Sequence, residues 1–555
     1  MPKIMAYPGA LIQIQEMDMN LQFSNKTTKM HIQQLLPLLP LAVASASAST
    51  PGGGGGGQFI TPRSSPNPLH ERATCSTVLS PSYQSPVVGS GWVAQIIAND
   101  LDSPRSIVFD SSGGMLVLEQ EKGITRLTFS SEDDTSTCLV EESRETVVDD
   151  EELLHGLALS PGGETLYAST SDKVYAWNYD PEGGTVTGDP TTLVQGMDSG
   201  GHVTRTILLL SGESEGMMLV SRGSNGNLDY ETREIDSGVS QIRAFNLTAM
   251  DVGSDDFSAS AYTDGDVLGW GLRNSVGLAQ DPVTGAIWSV ENSADQMQRL
   301  GEDIHTDNPG EELNFHGYLN GSDSEGRNFG YPDCFAVWGT ENFPGLGDMA
   351  TGSQFANEGS EKSDEECQSD TQAPRLTFQA HVAPLDVMVM GEQGVAGGTS
   401  NSTDDGEKEM YITFHGSWNR DDPVGYALVS VKMDAATGQP VAESSSTDAA
   451  TLVMSNPDNS ECPDGCFRPV GLAMDDSRRL FMTSDKTGEI FVLRKADFSA
   501  GTIPGGGSDD DGDDGEIVGG DDDSAGIAGK DRGGFALAVW CSSLAAVMLA
   551  GLMGL

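Results

Sequence analysis

The chain has 555 residues, with 83 acidic side chains against 30 basic ones and a formal net charge of −53. A surface this negative repels phosphate, which argues against nucleic acid and anionic lipid as partners and leaves a neutral or cationic small molecule as the better match. Both ends are low in complexity, so the foldable part is read as residues 75–496, a length that suits one large all-β domain.

In chain order, Lys26 and Lys29 precede an apolar run over residues 35–43 and the small-residue stretch 44–48, the form of a secretory signal peptide. Met30 stands where an ordinary initiator would, so residues 1–29 read as an over-extended start and 1–48 as extension plus signal. Residues 49–74, rich in Gly, Pro and Ser, form a lead-in. Beyond the domain, residues 497–534 are an acidic Gly/Asp-rich linker whose like charges repel and which offers little to a core. Residues 535–555 are apolar and end without a basic residue. Small residues Ser524, Ala525 and Gly526 and the polar spacer 527–534 match a glycolipid (GPI) anchor signal, with a retained spanning helix as the alternative. The protein is therefore expected to be secreted and held at the outer face of the plasma membrane or cell wall.

Of seven cysteines, Cys541 lies in the terminal apolar stretch, leaving Cys75, Cys138, Cys334, Cys367, Cys462 and Cys466. An even number beside secretion signals favours disulfides, with Cys462–Cys466 and Cys334–Cys367 preferred and the connectivity otherwise open. Asn246, Asn320 and Asn401 begin glycosylation sequons.

Within the domain a weak unit recurs: an apolar triplet, an Asp or Ser with Gly, then an alternating apolar strand. The copies are RSIVFDSSGGMLVLEQ from Arg105, HGLALSPGGETLYAS from His155, TRTILLLSGESEGMMLVS from Thr204, RNSVGLAQDPVTGAIWSVE from Arg273, PLDVMVM with EMYITFHGS from Pro384 and Glu409, and RPVGLAMDDSRRLFMTS from Arg468. Period-two alternation broken at Gly, Asp or Pro predicts short antiparallel strands, and six such units predict a six-bladed β-propeller, with a sandwich or parallel β-helix as alternatives. Long excursions over 224–264 and 291–383 are where a propeller would build a ligand site. General hydrolase, metalloprotease, phosphate-loop and dinucleotide motifs are missing, so nicotinamide and nucleotide chemistry fall away. Arg273, Arg420 and Arg468 stand at blade starts or ends, where they could converge on an axial pocket; any one of them alone would more ordinarily be a surface ion-pair partner.

A further set of segments runs in order from Gly200 to Ala473: GGHVTRT from Gly200, SRGSN from Ser221, SGVSQIRAFN from Ser237, GWGLRNSVGLA from Gly269, SVENSADQ from Ser289, DNPGEELNFHGYLNG from Asp307, NFGYPDC from Asn328, FQAHVAPLD from Phe378, FHGSWNR from Phe414 and CFRPVGLA from Cys466. Together they resemble the glucose/sorbosone dehydrogenases, and within them the fungal-type pyranose dehydrogenases that use pyrroloquinoline quinone and calcium. The resemblance implies oxidation of a sugar, with electrons passed to an external acceptor. It implies His202 as the base for the anomeric hydroxyl, a role suited to an imidazole. Arg273, Asn274, Arg420 and Arg468 match positions that contact the tricarboxylate cofactor, which guanidinium groups bind through paired hydrogen bonds. His415 and Trp418 are expected to line the same pocket, and His155 to face the quinone. Backbone carbonyls of Ser293 and Ala294 match the calcium ligands. Two departures stand out: bacterial relatives carry lysine near Arg420, and they carry an aspartate that orients the base where this chain has Arg222. A calcium-dependent lactonase or a non-catalytic binding propeller would use a similar frame.

Overall fold

The recurring Asp or Ser turns each repeat back on itself. At the end of the strand Pro104–Phe109, Asp110 Oδ1 accepts the backbone N–H groups of Ser112 and Gly114 at 2.9 and 2.8 Å, and the chain reverses into Met115–Glu119. Asp281, Ser160 and Asp475 do the same after their strands, accepting from Val283, Thr165 and Arg479 at 2.9, 3.0 and 2.8 Å. Short polar side chains that bond the backbone a few residues on favour tight turns, which is why the repeat carries them.

The computed structural model describes residues 67–68, 75, 78–131, 137–198, 200–254, 256–319, 326–390 and 408–496. The signal peptide, most of the lead-in, Asn320, Asn401, the acidic linker and the anchor signal lie outside the described residues. Contacts divide the chain into Met1–Arg494 and Lys495–Leu555, and the first unit holds the fold.

All six repeat copies become the two innermost, antiparallel strands of six sheets, two of which add a short parallel strand at the outer edge. The inner strands are Pro104–Phe109, Leu157–Leu159, Ile207–Leu209, Ser275–Gln280, Pro384–Val389 and Pro469–Met474, and they touch one another in cyclic order, the last meeting the first. The ring is closed by Trp92–Ala98, which forms the outermost strand of the last blade beside Glu489–Lys495. This is the expected six-bladed propeller.

Period-two alternation sends side chains to opposite faces of each blade. Met115 and Val117 of the first blade therefore pack against Phe481 and Val492 of the last, while Leu116 and Leu118 pack against Leu157 and Leu166 of the second. Such an apolar cluster lies between every pair of neighbouring blades. The excursion after the fourth blade's second strand builds a core of its own from Ala294, Met297, Ile304, Tyr331, Phe335, Val337, Phe343 and Phe355. It carries the helix Asp364–Asp370, capped by Ser363, and is pinned by Cys334–Cys367. Cys462–Cys466 forms as preferred from the sequence, and the remaining bond is Cys75–Cys138.

One ion pair crosses the apolar layer between the fourth and fifth blades: Lys408 Nζ meets Asp281 Oδ2 with side chains 1% and 0% exposed. Removing one partner strands the other charge away from water. Lys408→Ala should lower stability by about 3–5 kcal/mol, measured by denaturant unfolding, whereas a loss under ~1 kcal/mol would mean that water reaches Asp281.

Candidate functional site

Adjacent antiparallel strands bring the start of each inner strand and the end of its partner to the same end of the ring. There the alternating apolar pattern gives way to polar side chains: Arg105, His155, Arg205, Arg273, His381 and Arg468 before or at the inner strands, and Arg222, Glu291, His415 and Asp485 at or just after the second strands.

His202 lies in the loop leading to Ile207–Leu209. Its Nδ1 is 2.9 Å from Ser224 Oγ and 3.1 Å from the Ser224 carbonyl. Burial, and next the charge of Arg273, push its pKa down from 6.5 to about 4, so the ring is neutral across the ordinary working range. Gly223 leaves the approach open, since a Cβ there would lie 2.7 Å from His202 Cβ and 2.8 Å from Asn274 Oδ1.

Arg273 is 6% exposed and held by oxygens: Nε reaches the Asn227 carbonyl, Nη2 the Asn227 Oδ1 and Nη1 the Asn292 carbonyl, each at 3.0 Å. Beside it, Asp295 Oδ2 lies at 4.0 Å. Asn419 donates to Asp295 Oδ1 at 3.0 Å, which ties the loop carrying Trp418 and Arg420 to this wall. Beneath, Glu311 accepts the backbone N–H of Ser293 at 2.6 Å, and Asn314 donates to Glu291 and Glu312 at 3.2 and 3.0 Å. Burial pushes Glu311 and Glu312 up to about 7, and burial followed by repulsion from Glu312 raises Glu291 as well. Asp295, His305 and His381 bring possible metal-ligand atoms within 4.8 Å of one another. Hydrogen bonds account for that set: His381 Nε2 donates to the His305 carbonyl at 2.6 Å, its Nδ1 faces Asp295 at 3.3 Å, and His305 Nδ1 accepts from Gln296.

A second group centres on Asp485. Its Oδ2 takes Arg105 Nη1 at 2.8 Å and its Oδ1 takes His415 Nε2 at 2.9 Å. Burial alone would raise Asp485, but His415, Arg105 and Arg468 hold it below the usual carboxylate range. Arg105 Nε donates to His155 Nδ1 at 3.3 Å, and burial followed by that guanidinium keeps His155 well below 6.5. Arg468 donates from Nε and Nη2 to the carbonyls of His415 and Gly416 at 3.2 and 2.8 Å.

Two features suit the implied cofactors. Among the described residues, the carbonyl oxygens of Ser293 and Ala294 accept no hydrogen bond, although Ala294 is 3% exposed, and the neighbouring buried carboxyl groups favour a nearby cation. Arg105 Nη2 and Arg468 Nη1 donate to no described residue, which leaves guanidinium hydrogens for a polycarboxylate. Oxygen ligands for calcium and cationic forks for a tricarboxylate are both present.

The structure thus brings His202, Asn274, Arg273, Ser293 and Ala294 to one wall and His155, His415 and Arg468 to the Asp485 group. Arg420 lies at the rim, donating to the carbonyls of Thr306 and Asp422. Trp418 is 67% exposed and stands outside the buried part of the site. Arg222 does not touch His202; it reaches the carbonyls of Asp198 and Ser237 at 3.3 and 3.4 Å. Arg105, Ser224, Asn227, His381 and Asp485 escaped the sequence reading. Arg105 opens its repeat in the register of Arg273 and Arg468, so repeat alignment could have found it; Ser224 left no such signal.

Because folding favours the neutral ring, lowering the pH from 6.5 toward about 4 should erode the stability that burial of His202 contributes. NMR titration against His202→Ala should place its midpoint well below that of an exposed histidine; a midpoint at 6.5 or above would contradict the desolvated setting.

A pyrroloquinoline quinone-dependent sugar dehydrogenase of Hypocrea jecorina is 45% identical over 423 residues, covering 75% of this chain and 91% of that protein. The pyrroloquinoline quinone-dependent pyranose dehydrogenase of Coprinopsis cinerea is 34% identical over 440 residues, 76% of this chain and 56% of the relative. Among solved structures, the calcium structure of the Trichoderma reesei carbohydrate-active enzyme of family AA12 superposes with a TM-score of 0.71 at 44% identity, covering 76% of this chain and 100% of that one. The holo pyrroloquinoline quinone domain of Coprinopsis cinerea pyranose dehydrogenase gives 0.66 at 32% identity, covering 76% and 99%. The TrAA12-like family model matches residues 86–496, and with that span and these relatives the chain belongs to the TrAA12-like family.

Proposed function

We propose that this protein oxidises the C1 hydroxyl of a pyranose, or of a related aldose or osone such as sorbosone, with pyrroloquinoline quinone as cofactor and calcium beside it. The observation that carries the reading is the neutral, half-buried imidazole of His202 set next to Arg273 and Asn274, on the wall that also holds the free Ser293 and Ala294 carbonyls. The names of the family relatives support the same chemistry.

In this reading His202 takes the proton of the anomeric hydroxyl at Nε2, where a neutral imidazole near a desolvated substrate acts as general base. Arg105, Arg273 and Arg468 would hold the cofactor carboxylates, and the carbonyls of Ser293 and Ala294 would hold calcium. When bound, the quinone would supply a two-electron acceptor for the C1 hydride and calcium would supply Lewis-acid character beside it. Electrons then pass to an external acceptor, a redox protein, a small quinone or a metal ion, and the charge of −53 favours a cationic one through steering. A calcium-dependent lactonase would have no use for three guanidinium groups at this mouth, so the dehydrogenase is preferred.

Purified protein mixed with pyrroloquinoline quinone and calcium should bind the cofactor stoichiometrically and reduce a dye when pyranoses are added; no binding with calcium in excess would sink the proposal. His202→Ala should lower turnover by about 10²–10⁴-fold while retaining the cofactor. Secretion and a glycolipid anchor at the cell surface complete the reading. Phosphoinositide-specific phospholipase should release the protein from membranes, and resistance to it would favour a retained helix.

A further inference from the structure

With Arg222 facing away from the imidazole, something else must orient His202. We propose that Ser224 is the positioning residue that keeps the proton of His202 on Nδ1 and so leaves Nε2 as the basic nitrogen, an inference that rests on the dehydrogenase reading for its catalytic meaning.

The hydrogens around Nδ1 decide the tautomer. His202 Nδ1 lies 3.1 Å from the Ser224 carbonyl, which can only accept. It also lies 2.9 Å from Ser224 Oγ, whose single hydrogen is directed to the Gly226 carbonyl at 2.7 Å. With that hydrogen committed, the hydroxyl presents lone pairs to the ring. Both neighbours therefore require a hydrogen on Nδ1, and a neutral imidazole with Nδ1–H carries its lone pair on Nε2.

Ser224 is itself fixed. It is fully buried, its backbone N–H donates to the Arg273 carbonyl at 2.8 Å, and its carbonyl also accepts the His202 backbone N–H at 3.0 Å. One residue thus links the candidate base to the arginine beside it. Arg205, itself fully buried, braces the same loop, donating to the carbonyls of His202, Thr204 and Met197 at 2.8, 2.7 and 2.6 Å.

A hydroxyl and a carbonyl orient the ring without adding negative charge, unlike a carboxylate. The charged groups that act on His202 are Arg273 and Arg205, which disfavour protonation, and Asp295, which favours it; the Tyr331 hydroxyl reaches Ser224 from the neighbouring excursion. The base consequently remains unprotonated into the acidic range, where a carboxylate-paired histidine would already be charged.

Nitrogen-15 spectra of the full-length protein, with His202 signals identified by difference from His202→Ala, read the tautomer without any need for turnover. The expected result is protonated Nδ1 and bare Nε2 in the wild type and in Ser224→Thr. Ser224→Ala retains the carbonyl but loses the hydroxyl. It should show both tautomers and a kcat lowered by about tenfold, the worth of one hydrogen bond, with KM nearly unchanged. Ser224→Asp should move the acid limb of kcat/KM upward by about 1–2 pH units. A wild-type ring protonated on Nε2, or a Ser224→Ala enzyme with unaltered kcat and pH profile, would overturn the inference. A wild-type holoprotein that shows the Nδ1–H tautomer but oxidises no sugar would support the positioning role and overturn the functional reading instead.

Discussion

Everything at the candidate site depends on the way each blade buries both of its faces. A lone sheet of this kind would leave both apolar faces in water, at roughly 1.5–3 kcal/mol for each large side chain exposed. Only a closed ring gives every face a partner, and the outermost strand of the last blade has to come from the N-terminal side to close it. Once the ring closes, the strand ends have nowhere to go but its two mouths. Residues separated by hundreds of positions, such as Arg105 and Asp485, then become neighbours.

Desolvation then sets the chemistry of that mouth. It drives His202 and His155 toward the neutral base, and Glu291, Glu311 and Glu312 toward the neutral acid. Groups with enough partners escape this: Asp485 remains charged because two basic side chains and a histidine surround it, and Asp295 because His381, Asn419 and Arg273 do. The result is a site with neutral bases, buried acids that favour a cation, and anchored guanidinium forks. That combination suits an anionic planar cofactor bound with a metal ion better than it suits a charged substrate alone.

Much of this was legible in the chain. The turn residues Asp110, Asp281 and Asp475 and the period-two alternation after them are local properties, and they located all six inner strand pairs. Cys334–Cys367 and Cys462–Cys466 were also within reach, because their partners are close in sequence. His202, Arg273 and Arg468, to which the resemblance assigns roles, lie at one end of the ring. Trp418 was different: its neighbours in sequence face the site, yet its own side chain is turned to solvent, and side-chain direction in a loop has no periodicity to betray it.

The sequence by itself determined the strand pattern, the number of blades and the kinds of side chain that crowd their ends, because alternation and turn chemistry act over a few residues. It did not determine which of those side chains meet. That Arg105 would share Asp485 with His415, that Arg222 would turn to the loop carbonyls of Asp198 and Ser237, and that Ser224 would take the place beside His202 were settled only when ring closure brought separate blades together. Contacts of that kind depend on distance in space, which no local pattern in the chain encodes.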